Sequence, residues 1–393
     1  MPLHTSEFAT DPDRVCRAMR DRYGALAPVE LAPDVPATLV IGYREALRIL
    51  DDAAHYASDP RIWQQQAPAD CPVLPLLRWR PVAPRSDDAE HTRFRGACTA
   101  GLDRVDLHSL RSVVERTAIP MINAFCESGS ADLLGQYAFP LTFRVLNELL
   151  GLPPEKGQQA LVGMIAVLNA ADSESARRGN EIFESILLEF VEQKRCDPGD
   201  DLTSWLMADV ADLDDLEMVN QTALLYAAGT EPTCGLILNT LLLMLTDNRF
   251  GDNVIGGSIS TRDAIDEVLF TDPPWANFSV RYPRQPQLFD DMWLPAHQPV
   301  VISSAACNND PAIAGDRTGN RAHLAWGAGP HTCPAQPLAM IIAHEAIDQL
   351  LDALPEITLA QPVDTLTWRS GPLHRMLNAL PVTFPASAPL HPA

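Results

Sequence analysis

The chain has 393 residues and a formal net charge of −22, an acidic excess that argues against a nucleic-acid binder, whose phosphate contacts need clustered Lys and Arg. It disfavours an anionic membrane surface for the same reason. A hydrophobic share of 46% excludes a disordered chain, and 34 prolines imply many turns and long irregular connections.

In chain order, the opening MPLHTSEFATDPDRV has no basic n-region and no apolar h-region, so no secretory signal is indicated and a cytoplasmic location is expected. The cysteines are scattered, with no CxxC pair, so neither a zinc ribbon nor a disulfide framework is suggested. Thr38 to Ile41 predicts a strand that Gly42 ends and a helix follows, from Arg44 to Leu50. Arg61 to Arg85 is rich in Pro, Trp and Leu without a clean period. It reads as a long loop, either a binding loop or a packed surface excursion.

From Glu90 the pattern becomes helical, with Leu110–Phe125, Phe139–Leu150, Asn180–Lys194 and Leu216–Leu245 as the best helices. Asp212, Asp214, Asp215 and Glu217 gather at the start of the last one, where negative charge complements the amide end of a helix. Ala223 to Leu245 is long and apolar enough to span a bilayer, but Glu231, Pro232 and Asn239 inside it suit a helix buried beside a functional cavity. No membrane association is expected. Asp263–Phe270 predicts a further helix, stopped by Asp272-Pro273-Pro274. Phe278–Tyr282, Gln287–Leu294 and Pro299–Ser303 then read as short strands, and Pro337–Leu354 as an amphipathic helix. No repeat or low-complexity linker divides residues 1–393, which predicts one mainly α domain with β-rich parts near 30–60 and 275–305.

The most informative stretch is AWGAGPHTCPA, Ala325 to Ala335. Gly327 and Gly329 permit a turn that side chains would resist, and Pro330 stiffens it. Pro334 stands where a first helical residue would, which predicts Cys333 at a helix N-terminus and its thiolate favoured over the thiol. Such a thiolate could be a nucleophile, a redox sensor or a metal ligand. Trp326 and His331 in the same loop suit a metal-bound sulfur.

Here the sequence resembles the cytochrome P-450 family of haem-thiolate monooxygenases, whose cysteine loop reads F-x-x-G-x-H-x-C-x-G. Gly329, His331 and Cys333 match, Trp326 replaces the Phe and Ala335 replaces the last Gly. Further matches extend over nearly the whole chain. HTRFR, His91 to Arg95, is similar to the family's H-x-x-x-R helix, AAGTEPT, Ala227 to Thr233, to its oxygen-side helix motif, and HLAWG, His323 to Gly327, to the lead-in of the loop. Arg281 takes the usual propionate-binding strand position. The resemblance implies haem b buried between the long central helix and the helix after Cys333, with Cys333 on the iron and His91, Arg95, Arg281 and His331 on the propionates. His91 and Arg95, spaced i and i+4, share one helical face. Trp326, Gly327 and Gly329 would shape the thiolate loop.

Two departures stand out. In the oxygen-side motif, Glu231 is followed by Pro232 where the family places a hydroxyl, and Thr233 comes one residue late, rotated by about 100°. Pro232 also frees the Ala228 carbonyl. Glu231, Thr233, Gly229 and Ala228 are therefore the catalytic candidates that the resemblance implies, with proton delivery open to Glu231, water, the Ala228 carbonyl or the substrate itself. Second, the family's E-x-x-R helix reads Glu267-Val268-Leu269-Phe270, so Glu267 is expected to reach Arg317 or Arg321, or to be solvated.

The implied function is monooxygenation of an apolar small molecule with electrons from a ferredoxin or flavodoxin and its reductase, since no flavin or nicotinamide fingerprint is present. A monomer is expected. The departures leave two alternatives, a haem-binding protein without turnover and a peroxide-driven peroxygenase. The Arg61–Arg85 segment, with Trp63, Leu74, Leu76, Leu77 and Trp79, resembles the family's substrate-recognition region. The arginines between His91 and Arg116 predict a locally basic docking face.

Overall fold

Asp215–Thr246 forms one helix of 32 residues, the central helix, and the acidic run at its start is a capping device. The Glu217 N–H donates to the Asp214 carboxylate and the Asp214 N–H donates to the Glu217 carboxylate, so two backbone donors that the helix cannot pair are satisfied. Arg93 grips Glu217 through two donors at 2.6 and 2.7 Å, and these bonds hold the Glu217 carboxyl below its usual pKa. A depressed pKa stabilises the fold above the ordinary carboxylate range and loses that effect as pH falls through the lowered value. Glu217→Gln is therefore expected to cost about 1 kcal/mol at neutral pH, with the gap to wild type narrowing as pH drops below about 4 in urea unfolding.

The structure is a computed structural model and describes residues 1–68, 70–168, 173–251, 260–315 and 319–390. Every side chain from Thr233 to Leu241 is buried, which accounts for the apolar run of membrane-spanning length. Helices Phe139–Leu150, Ser173–Cys196, Thr261–Thr271 and Gln336–Ala353 pack around the central helix. Gly229 sets the approach of the first of these. A Cβ there would stand 2.7 Å from Leu146 Cδ1.

A five-stranded sheet stands at one side, in the order Leu26–Ala32, Val35–Val40, Val300–Ile302, Ser279–Pro283, Tyr56–Ala57. Val35–Val40 and Val300–Ile302 run parallel; the other neighbours are antiparallel. The pattern did not predict Leu26–Ala32, because Pro28 lies inside it. As an edge strand it needs no donor at Pro28 toward solvent. A second sheet, Ser130–Asp132, Pro381–Thr383 and Thr358–Leu359, falls outside both expected β-rich parts.

Arg61–Arg85 is not one irregular loop. It holds helices Arg61–Gln66 and Leu74–Leu77 and a 3-10 turn, Ala83–Arg85. Trp63 and Leu77 are buried in the sheet-side core, Trp63 with its ring 5.9 Å from Tyr282, so these side chains make structure. Among the described residues of this segment, only Ala83, Pro84 and Arg85 reach the central cavity.

Candidate functional site

The cysteine loop is built by its glycines. Gly327 and Gly329 have φ of +72° and +67°, a region closed to most side chains. The Cys333 N–H donates back to the Trp326 carbonyl at 2.8 Å and closes the turn. A Cβ on Gly329 would stand 2.6 Å from Asp51 Oδ1 and 2.7 Å from the Leu50 carbonyl oxygen, so the loop tip is pressed against that backbone. Gly329→Ala is expected to destabilise the holoprotein by about 2 kcal/mol or more and to raise its rate of haem loss, read by thermal melting and by transfer to an apo-globin.

The helix after the loop begins at Gln336, not at Pro334, and Pro337 takes the early position where a missing N–H is harmless. The N–H groups of Ala335 and Gln336 do favour a negative sulfur, yet burial outweighs them and pushes the Cys333 thiol above its usual pKa. The expected free thiolate is thus corrected. A thiol that burial keeps neutral still serves a metal ion, because it ionises when the ion binds it, so the metal-ligand reading does not need a free thiolate.

Cys333 shares its cavity with Trp326, Gly327, His331, Arg95 and Arg281. Gly329 lies outside the cavity wall and acts through the loop. The His91 ring lies beside that of His331, centroids 4.1 Å apart and planes tilted by 43°, and the Ser58 hydroxyl is 3.0 Å from His331 Nε2. Burial, with Arg281, His91 and Arg95 adding, pushes His331 down to about 3, and burial pushes Arg281 down to about 10. His91 is lowered too, first by burial and then by Arg95. Arg281 is 5% exposed and donates only to its neighbour's carbonyl, that of Val280, among the described residues. The buried His91 Nε2 and Trp326 Nε1 have no partner. Two guanidiniums and two imidazole donors crowd one end of the cavity, and among the described residues no carboxylate forms an ion pair with Arg95 or Arg281, although Asp87 is near enough to raise the Arg281 pKa, an arrangement that a dianionic ligand would resolve. Haem b fits this set: two carboxylates for the cations and an iron for the sulfur.

On the opposite wall the central helix presents Ala228, Gly229, Pro232 and Thr233. Glu231 is not among them. It is held by Arg369 at 2.8 Å, with His374 Nδ1 at 3.4 Å, on another face of the helix. Nothing in the sequence announces these partners, because Arg369 lies 138 residues away. Leucines from the central helix and from Phe139–Leu150 make the rest of this wall apolar.

Glu267 does not pair with Arg321. Arg317 lies outside the described residues, and Arg321 instead pairs with Asp266 at 2.8 Å, which Arg262 also approaches at 3.3 Å. Glu267 is partly solvated and 3.6 Å from Arg249. Phe270 is buried with its ring edge-on to His323, at 5.2 Å. Of the arginines expected to make a basic docking face, Arg93, Arg111 and Arg116 pair with Glu217, Glu345 and Glu148, Arg95 faces the cavity and Arg104 lies over the Trp205 ring.

A mainly α fold with this cysteine loop, cavity and cation cluster defines a haem-thiolate protein. No protein-family model matches the chain. It is 29% identical over 380 residues to vitamin D(3) 25-hydroxylase of Pseudonocardia autotrophica, covering 91% of this chain and 90% of that protein. With 6-deoxyerythronolide B hydroxylase of Saccharopolyspora erythraea it is 28% identical over 406 residues, covering 97% and 98%. The solved structure of CYP154C4 from Streptomyces sp. ATCC 11861 superposes with a TM-score of 0.88 at 27% identity, covering 98% of both chains. The chain is a cytochrome P450 of the bacterial type. It is a haem b monooxygenase that takes electrons from a redox partner, and its relatives do not favour the non-enzymatic or peroxide-driven alternatives.

Proposed function

We propose that residues 1–393 form one cytoplasmic monooxygenase domain that oxidises an apolar small molecule, with Cys333 on the iron and the propionates held by Arg95, Arg281, His91 and His331. The observation that carries this reading is the geometry of the cavity: Cys333 shares it with Arg95, Arg281 and His331, and neither arginine forms an ion pair with a carboxylate among the described residues. Bound there, haem supplies dioxygen activation, and a thiolate ligand raises the electron density that favours O–O cleavage.

The chain's own part is positional and protic. Trp326 and the Ala335 and Gln336 amides shield and orient the sulfur. Thr233 and the Ala228 carbonyl, which Pro232 leaves without its helical partner, hold water on the oxygen side. Gly229 lets the helices close around that water. Glu231 stands behind this wall, held by Arg369, and does not touch the reacting atoms. Leucines on both helices exclude bulk water and favour an apolar substrate.

Electrons come from a ferredoxin or flavodoxin with its reductase. The test is twofold. The purified protein should give a thiolate-type reduced carbon monoxide spectrum, and with such partners its reductant consumption should couple to an oxygenated product. Absence of the thiolate spectrum, or of any coupled product across a broad apolar library, overturns the reading.

A further inference from the structure

Pro81–Arg85 brings to the cavity wall a side chain that the haem reading leaves unexplained. Arg85 is 8% exposed and faces the cavity. Its guanidinium donates to the Leu76 carbonyl at 2.5 Å and lies over the Phe278 ring at 5.5 Å, and neither partner is charged. Among the described residues no carboxylate pairs with it. The acid nearest in sequence, Asp87, accepts from the Ser58 and Asp59 N–H groups and faces Arg284 at 3.5 Å. Burial lowers the pKa of Arg85, but a guanidinium keeps its charge in a protein. A buried cation without a counter-ion costs several kcal/mol.

Haem would not use all of the positive charge here: Arg95 and Arg281 would match its two propionates, with His91 and His331 as further donors, and Arg85, near enough to Arg281 to lower its pKa, would be a third guanidinium in the same cavity. A second orphan lines the same cavity. Gln221 is 1% exposed, lines the cavity and donates through Nε2 to the Pro81 carbonyl at 3.0 Å, while its Oε1 accepts nothing. Flipping the amide would set oxygen against oxygen, so Oε1 remains the free atom.

We propose that the substrate is an apolar acid, its carboxylate held by Arg85 and a hydroxyl or N–H of its body, where it has one, by Gln221 Oε1. The inference deepens the proposed function and rests on it, because the apolar body must lie in the haem cavity. A bidentate guanidinium–carboxylate pair out of water discriminates strongly against a neutral isostere.

The experiment titrates purified holoenzyme with dodecanoic acid, cyclohexylbenzoic acid and the methyl ester of each, reading the haem spectral shift. In wild type at least one acid should bind about tenfold more tightly than its ester. In Arg85→Met the preference should fall to within about twofold, and Arg85→Lys should keep part of it. Equal binding of acid and ester, binding of no acid, or a preference that persists in Arg85→Met overturns the proposal. Haem content is measured on the same samples. If Arg85→Met sheds haem while keeping the acid preference, the residue is a propionate ligand and the proposal fails. A reduced carbon monoxide spectrum on each sample tells this failure from failure of the haem-thiolate reading, in which case calorimetry follows acid binding directly.

Discussion

Cys333→Ala is expected to abolish the thiolate-type reduced carbon monoxide spectrum and to bring monooxygenase turnover to background, while the apoprotein keeps its fold. The sulfur stands in the cavity wall, closed in by Trp326 and the start of the helix Gln336–Ala353. Without a metal ion, burial holds it as a thiol against the pull of the Ala335 and Gln336 amides. Those amides are an ordinary helix start, so alanine at 333 leaves them facing a cavity and costs about 1 kcal/mol at most. Circular dichroism and urea unfolding of apoprotein should therefore move little, and loss of ligation is read without unfolding. Cys333→Ser is the finer control, since a serine hydroxyl keeps the shape but not a soft, easily ionised ligand atom. A thiolate-type spectrum in either variant would place the ligand elsewhere and remove the basis of the site.

Much of this site was legible because its chemistry is local. The cysteine loop needs two left-handed glycines within a few residues of the sulfur, and the structure gives both the required φ. His91 and Arg95 were legible as a helical i, i+4 pair, and Arg281 as the strand position that the resemblance gives it. What could not be read depends on which way a helix face turns. Glu231 was assigned to the cavity by sequence order, yet successive helical residues point about 100° apart, and the face carrying Thr233 wins the cavity. Arg369 and His374 then claim Glu231 from a remote segment.

The fold was legible where period and length agreed. Phe139–Leu150 was placed to the residue, and the central helix was expected one residue short at each end. The opening helices, Ser6–Thr10 and Pro12–Tyr23, were not predicted, and the second is capped by Asp11 with Pro12 behind it, a start signal that was available. The Arg61–Arg85 segment misled in a more instructive way. Its large apolar side chains suggested ligand contact, but Trp63 and Leu77 pay for the core, and the one charged residue at its end, Arg85, is what faces the cavity.

Phe270→Arg, which restores the family's E-x-x-R spacing, is expected to destabilise the protein by about 4 kcal/mol or more, the opposite of what the motif alone would suggest. Phe270 is 4% exposed and fills a site against His323, whose imidazole burial keeps neutral, down to about 4. An arginine there loses the aromatic packing and brings a charge. Its intended partner is turned away, since Glu267 is 3.6 Å from Arg249 at the surface. The acid that does tie this helix to the later loop is Asp266, already shared by Arg262 and Arg321. The helix-to-loop tie has thus moved one residue along the helix, and the vacated position has become apolar core. Phe270→Leu should cost about 1 kcal/mol, as a change within the same apolar site. Asp266→Asn should cost about 1 kcal/mol as well, because Arg321 is 55% exposed and water takes over from the carboxylate. Urea unfolding of the holoenzyme checks all three. If Phe270→Arg matches wild type in stability, Glu267 has swung inward to meet it, and the tie has not moved at all.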